Sequence, residues 1–515
     1  MKNILNELYD SLRKKSSEIC ITDYSTDKPI KVNKKQLLIL ASILSDEICK
    51  RTTSKRVGIT IPNSLLGVVA NIAVVLSGKI PVNLNFATKN DVARHCIAKS
   101  GINLILTVSL LRNKFREFPF SDNSIDCDLF LKKARTCKLT SMKKYVLHSL
   151  PKFISKKILK IKKEYIQDEE FAVLFTSGSS GIPKGVSLTN LNILSNINGV
   201  CHLQPFPDGS KMLANLPLFH SFGFTITMWL PLLNQIPIVT VPSPLEISKN
   251  ITAIENEKVT ILLGTPTFLR GYLRKGSSNK FKSLQFVVAG AEKSELNFIK
   301  HWESLAECKY LEGYGLTETS PVLTLNTTKF GVKHGSVGKI LPHLKVKTID
   351  PETHENLGRH ESGILCFCGD SIFKEYIMDS QKTKECFIGD WFVTGDIGYL
   401  DTEGFIHLNG RISRFSKIGG EMIPHEKIEQ TAKELLKWDA LESESLLVVL
   451  GVPHETKGEE LLLITNKKID FDKLRKKMSE QLGNLFAPKK HFVLNEIPIL
   501  STGKIDFQEL KTHFL

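Results

Sequence analysis

The 515-residue sequence predicts an α/β fold in at least two domains. Three observations carry this. Between residues 30 and 110, strand-like and helical runs alternate, the pattern of layered α/β proteins. The length exceeds one domain of roughly 100–200 residues. Near residue 410 the texture changes, and the remaining stretch of about 100 residues holds helices and strands enough for a unit of its own.

The elements follow in order. Val57-Gly58-Ile59-Thr60-Ile61 reads as a strand. Pro62-Asn63-Ser64 then starts an apolar helix over Leu65–Leu76, which ends at Ser77-Gly78-Lys79. That run is about a dozen residues and contains Asn71, whereas a membrane-spanning helix needs about 20. Ile80–Leu84, Ile102–Val108 and Val259–Leu263 read as further strands. Residues 142–165 are basic, with Phe153, Ile154, Ile158, Ile161 and Tyr165 on one helical face and Lys152, Lys156, Lys160 and Lys163 on the other. The expectation is a surface helix docked by its apolar side, with contact to an anionic membrane as the alternative. Gly398–Leu408 reads as strand-turn-strand about Asp401–Gly404. Helices are expected around Glu426–Trp438 and Phe471–Leu482, with a strand at Leu446–Val452 between them.

Composition excludes several classes. With 42% hydrophobic and 24% charged residues, the chain does not have the makeup of a disordered protein. Its 33 Gly and 21 Pro do not repeat, which excludes a collagen-like chain. Lys and Arg number 69 against 54 Asp and Glu, a net charge of +15 that suits either a solvated surface or an acidic partner. No helix-turn-helix, zinc-finger or aromatic-basic motif is present, so nucleic acid is not expected. The ten cysteines contain no CxxC pair, which argues against a cysteine metal site. The start, MKNILNELYDSLRKK, lacks the apolar core of a signal peptide. Scattered thiols without export predict a reduced, cytoplasmic setting, with the inner face of a membrane as a peripheral option.

Four motifs carry chemistry. In the first, an apolar strand runs into Thr176-Ser177-Gly178-Ser179-Ser180-Gly181-Ile182-Pro183-Lys184. Freed backbone amides, small hydroxyls and one Lys suit a polyphosphate. It is not a Walker A loop, because Pro183 and Gly185 stand where Gly and Ser or Thr are needed. The second, Glu312-Gly313-Tyr314-Gly315-Leu316-Thr317-Glu318-Thr319, offers Tyr314 to stack on a base, Thr317 to bond a phosphate and Glu318 to hold Mg²⁺. The third is Thr394-Gly395-Asp396, followed by Gly410-Arg411. A lone Asp suits a pair of ribose hydroxyls, although an Asx turn would use the same residues. The fourth, Ser501-Thr502-Gly503-Lys504, presents a Lys near the end of the chain.

In this order and at these separations the motifs resemble those of the adenylate-forming superfamily, over essentially the whole chain. The resemblance implies a large N-terminal domain of mixed sheets with a β-barrel-like part (residues 1–412) and a small mobile α+β C-terminal domain (residues 413–515). It implies an acid–thiol ligase that uses ATP and Mg²⁺. A carboxylate attacks the α-phosphate and releases pyrophosphate, and a thiol then displaces AMP from the acyl-AMP. By match, Thr176 through Lys184 cradle the phosphates, Glu318 places Mg²⁺, and Thr317 bonds the α-phosphate. Asp396 holds the ribose with Arg411, while Gly290-Ala291-Glu292 and Tyr314-Gly315 bracket adenine. Lys504 bridges carboxylate and phosphate.

The segments Val288–Lys293, Leu311–Glu318 and Arg414–Ile423 resemble bacterial acyl-[acyl-carrier-protein] synthetases. No His-x₄-Asp acyltransferase motif is present, so a stand-alone synthetase is expected. The expected substrate is a fatty acid and the expected acceptor is acyl carrier protein, with CoA as the alternative. A catalytically inactive lipid-binding scaffold is the reading from another class. Leu216-Pro217-Leu218-Phe219-His220-Ser221-Phe222-Gly223-Phe224 matches the segment lining the acyl pocket, and His220 and Phe222 are its candidate contacts. Ser413 stands where the family hinge carries Asp or Lys. Lys417 matches a Lys used in the second half-reaction.

Overall fold

The computed structural model describes residues 3–136, 150–159, 161, 168–176, 182–418, 421–438, 446–454, 458–499 and 505–514. Four sheets organise the chain. The first has seven strands in the spatial order Glu375–Tyr376, Lys184–Thr189, Glu170–Thr176, Ile80–Asn83, Arg56–Ile59, Ile105–Thr107 and Ile125–Asp126. It is parallel from Glu170–Thr176 to the far edge, and its first two strands are added antiparallel. The second has nine strands: Lys339–Ile340, Val322–Leu325, Lys309–Gly315, Phe286–Ala289, Ile261–Gly264, Met212–Ala214, Ile238–Thr240, Ile19–Asp23 and Ile30–Asn33.

The expected apolar helix lies between these strand runs in sequence. The Ser64 side chain caps it, accepting from the Gly67 amide at 3.2 Å, and it spans Leu65–Leu76. All of its residues but Leu66 are buried, which explains a run without a polar face. Asn71 is buried too, and its amide is satisfied by Asn83 at 3.1 Å. One apolar core joins both sheets, containing Val57, Leu174 and Val186 from the first and Met212, Leu263 and Leu311 from the second.

The third sheet is antiparallel, with Leu344–Ile349, Gly363–Gly369, Trp391–Leu400 and Phe387–Ile388 in order and Ile406–Arg411 also on Trp391–Leu400. After the short 3₁₀ turn Ile412–Arg414, which holds Ser413, the small C-terminal domain begins a sheet of its own. That sheet comprises Glu421–Pro424, Phe415–Ile418, Gly458–Thr465 and Leu447–His454, with Lys490–Val493 beside Gly458–Thr465. Leu447 and Val449 join Ile428 and Met478 in one cluster, while Val448 and Leu450 join Leu510 in another. Both faces are covered, so the strand reads as an unbroken apolar run. The expected helices appear as His425–Leu436 and Phe471–Leu482.

The basic helix departs from expectation. Lys152–Ile158 is helical, yet Phe153 is 74% and Ile158 54% exposed. The helix docks through other atoms: Lys152 and Lys156 reach Asp10 at 3.3 and 3.2 Å, and Ser155 bonds the Tyr9 hydroxyl. Ile161, just beyond this helix, is buried in the main core, so the expected apolar face docks only at that end. Lys160, Lys163 and Tyr165 lie outside the described residues. No helix among the described residues is long and apolar enough to cross a membrane.

Arg414 holds the C-terminal domain together rather than facing solvent. It is buried, pairs with Glu429 at 2.5 Å, donates to the Val449 carbonyl at 2.7 Å and lies 4.0 Å from the Phe507 ring centre. Beside it, His425 bonds Ser416 at 2.8 Å. Burial first, then the positive charges of Arg414 and Lys511, push the His425 imidazole down to about 3. The unfolded chain protonates this residue near the ordinary 6.5. Stability therefore falls as pH drops from about 6.5 toward 3. Between pH 6.5 and 5 the loss from this residue is about 2 kcal/mol. Melting curves of the wild type over that range should fall more steeply than those of His425→Gln, and parallel curves would show that His425 titrates normally.

Candidate active site

The predicted residues gather where the C-terminal ends of parallel strands meet the third sheet, the usual place for a site in open α/β folds. The strand Glu170–Thr176 ends at Thr176, which is the cross-strand partner of Lys184. The turn between them carries Ser177, Gly178, Ser179, Ser180 and Gly181, which lie outside the described residues, as does Lys504. Thr176 Oγ1 is buried without a hydrogen-bond partner among the described residues, a donor available to a ligand oxygen.

Lys184 points across the sheet edge. Its Nζ donates to the Tyr376 hydroxyl at 3.1 Å, and that hydroxyl donates to Glu318 Oε1 at 2.7 Å. Tyr376 therefore stands between the expected phosphate lysine and the expected metal carboxylate. No motif marks it in the sequence. Its strand is two residues long and lies almost two hundred positions from its partner strand. Glu318 sits in the 3₁₀ turn Thr317–Thr319 and is 9% exposed. The turn is held tightly against the chain that follows: a Cβ on Gly315 would lie 1.8 Å from the Pro321 carbonyl oxygen, so only glycine fits.

Asp396 is 4% exposed, and both its oxygens are engaged. Tyr314 donates to Oδ2 at 2.5 Å, and Arg411 Nε lies 3.0 Å from Oδ1. Asp396 and Arg411 are paired across the third sheet. Burial, and then the Asp396 charge, push the Tyr314 phenol well up, so it remains a donor. Carboxylate oxygens take more than one bond each, which leaves capacity for a further donor. Gly410 sits at φ 134°, and a Cβ there would come 3.4 Å from the Glu426 carboxyl carbon. The helix His425–Leu436 thus rests against the strand that carries Arg411.

The remaining predicted residues close the other side. Gly290-Ala291-Glu292 follows the strand Phe286–Ala289, and Ala291 adopts φ 71°. Glu292 turns back to cap the helix Pro266–Lys275, accepting from the Thr267 amide at 3.1 Å and its hydroxyl at 2.7 Å. The Phe222 ring lies against Gly290, 3.6 Å from a Cβ built there. Ser221, between His220 and Phe222, lies 3.4 Å from the Thr317 hydroxyl, so the apolar segment reaches the turn that carries Glu318. Phe222–Trp229 forms a π-helix, a form concentrated at functional sites. Lys417 lies away from this cluster and pairs with Glu352 at 2.6 Å.

Glu312 opens the second motif, which gives it no task of its own. It shares a strand face with Tyr310 and Tyr314, is 7% exposed, and its Oε2 has no partner among the described residues. Burial raises its carboxyl from the ordinary 4.5 to about 7, against hydrogen bonds from Gly335 and Ser294.

Three sheets thus converge on two buried carboxylates, Glu318 and Asp396, with Lys184, Tyr314 and Tyr376 around them. The chain belongs to the AMP-binding enzyme family, whose sequence profile matches residues 35–377. It is 25% identical to a long-chain-fatty-acid–CoA ligase of Haemophilus influenzae, over 93% of this chain and 91% of that one. It is 29% identical to a long-chain-fatty-acid–CoA ligase of Bacillus subtilis, over 66% of this chain and 61% of that one. Two solved structures share the fold. ATP-bound MatB from Rhodopseudomonas palustris has a TM-score of 0.81 at 21% identity, covering 100% of this chain and 99% of that one. The O-succinylbenzoate coenzyme A synthetase of Bacillus subtilis, with ATP and magnesium ion, has a TM-score of 0.81 at 22% identity, covering 98% and 99%.

The raised Glu312 carboxyl has a measurable consequence. The folded state retains its proton up to about pH 7 while the unfolded state loses it near 4.5, so this residue destabilises the fold as pH rises between those values. Glu312→Gln should gain roughly 3 kcal/mol over the wild type on going from about pH 5 to about pH 8, read from denaturant melts. A difference that does not change with pH would place the carboxyl in its ordinary range.

Proposed function

We propose that the protein is an AMP-forming acid–thiol ligase that uses ATP to activate a fatty acid and transfers the acyl group to CoA. The observation that carries this is the convergence of Lys184, Thr317 and Glu318 on one side of the cleft, with Asp396 and Tyr314 on the other and an apolar segment reaching Thr317. In this reading residues 1–412 form the adenylating domain and residues 413–515 turn about Ser413. The fatty acid lies along His220 and Phe222, where chain burial contributes about 0.8 kcal/mol per CH₂. Its carboxylate oxygen bonds the α-phosphorus of ATP, and the phosphorus–oxygen bond to pyrophosphate breaks. The thiol sulfur then bonds the acyl carbon and AMP leaves.

Each residue has a physical task. Thr176 and Lys184 receive phosphate oxygens, and Thr317 bonds the α-phosphate. Lys504, by its match alone, bridges the carboxylate and the phosphate. Tyr314 and the Gly290-Ala291-Glu292 turn bracket the base, and Asp396 with Arg411 receives the ribose hydroxyls. Glu318 is a hard oxygen donor close to Lys184. The described residues contain no group of three His, Cys, Asp or Glu side chains able to hold a metal by themselves. A single carboxylate shared with substrate phosphates fits Mg²⁺, which favours that arrangement over an all-protein cage. When bound, Mg²⁺ supplies neutralisation of phosphate charge.

CoA is supported as acceptor by the names of the relatives. Acyl carrier protein is the second reading, favoured by the net charge of +15. Arg414 adds nothing to an acidic-partner surface, because it is buried. One experiment separates the readings: purified protein with ATP, Mg²⁺ and a long-chain fatty acid is offered either CoA or acyl carrier protein, and the acylated thiol is identified. Efficient use of carrier with no use of CoA would reverse the acceptor assignment. Absence of fatty-acid-dependent ATP–pyrophosphate exchange would overturn the ligase itself.

Asp396→Asn tests the nucleotide side. Hydrogen bonds to a charged group are worth about 1.5–3 kcal/mol, so ATP binding measured by calorimetry should weaken at least about tenfold. Unchanged affinity in the folded variant would make Asp396 a purely structural residue.

A further inference from the structure

Tyr376 is buried, and its position is fixed from several sides. Its ring lies 4.8 Å from that of Phe373, and its amide donates to the Thr383 hydroxyl at 3.0 Å. The hydroxyl accepts from Lys184 and donates to Glu318, and the Lys184 ammonium also lies 4.4 Å from the ring centre. Burial and then the Glu318 charge push the phenol's ionisation upward, so its proton stays available to the carboxylate. The neutral hydroxyl separates two groups of opposite charge. A direct Lys184–Glu318 ion pair would occupy the carboxylate oxygens and hold the ammonium away from other anions.

We propose that Tyr376 is a positioning residue for the first half-reaction: its hydroxyl spaces Lys184 from Glu318, presenting the lysine to phosphate and the carboxylate to a divalent cation. This rests on the reading in which Lys184 meets phosphate and Glu318 meets the cation. Partners that orient a metal-binding carboxylate from behind typically matter by 10–100-fold in metal affinity.

The test is Tyr376→Phe, which keeps the ring and removes the hydroxyl. Its melting temperature should stay within about 4 °C of wild type, as expected for one lost hydrogen bond in a chain of this size. Mn²⁺ affinity, read by electron paramagnetic resonance with a non-hydrolysable ATP analogue, should weaken about tenfold, and ATP–pyrophosphate exchange should fall by at least as much. Thioester formation from supplied acyl-AMP should stay within about twofold. In a Glu318→Gln background the same change should add less than about twofold, because the two residues act as one unit. If Glu318→Gln loses Mn²⁺ affinity and Tyr376→Phe does not, the positioning role is wrong and the site reading stands. If Glu318→Gln leaves Mn²⁺ affinity unchanged, the cation assignment falls and this proposal with it. A 4-aminophenylalanine at position 376 keeps the ring and puts an N–H donor in place of the hydroxyl, which provides a second test. Its Mn²⁺ affinity should stay within about threefold of wild type, and a loss as large as that of Glu318→Gln would overturn the role even if Tyr376→Phe fails to fold.

Discussion

A carboxylate taken out of water must be matched by hydrogen-bond donors. This protein meets that demand where its sheets meet. Asp396 belongs to the third sheet and takes a proton donor from Tyr314 of the second. Glu318 follows the second sheet and takes one from Tyr376 of the first. Each carboxylate also has a cation close by, Arg411 directly and Lys184 through the tyrosine. The contacts that satisfy the buried charge are therefore the contacts that set the three sheets in register around the cleft.

The labour is divided between two kinds of packing. The apolar core, with the helix Leu65–Leu76 at its heart, supplies bulk stability and tolerates exchange among residues of similar volume. The polar seam supplies geometry, because hydrogen bonds fix direction as well as distance. Phe373, Phe387 and Phe392 pack together beside Tyr376, with ring centres 5.6 to 5.7 Å apart, so an aromatic cluster backs the seam.

Features that depend on near neighbours were legible in the sequence. The helix Leu65–Leu76 announced its own cap and stop. The strand ending in Thr176 and the turn before Glu318 were marked by glycines and hydroxyls. Features that depend on distant pairing were not. Tyr376 gains its meaning only when a two-residue strand joins the edge formed by Lys184–Thr189. Arg414 is marked in the sequence only by the segment it opens, and its buried role is set when Glu429 and Phe507 close over it. Phe153 and Ile158 fit an apolar face by spacing, yet both stay exposed while Lys152 and Lys156 pair with Asp10 on another helix. Glu312 looks like one more acid in a polar motif, and only burial makes it unusual.

The π-helix Phe222–Trp229 carries one more residue per hydrogen-bonded turn than an α-helix would. Its wide turns are a store of length. Losing a single residue there would return a turn to the tighter spiral while the segments on either side keep close to their places. The side chains that this helix presents beside Gly290 would then be re-spaced by a one-codon deletion. Cleft shape in this fold is thus open to revision through chain length, a cheaper evolutionary route than repacking a core.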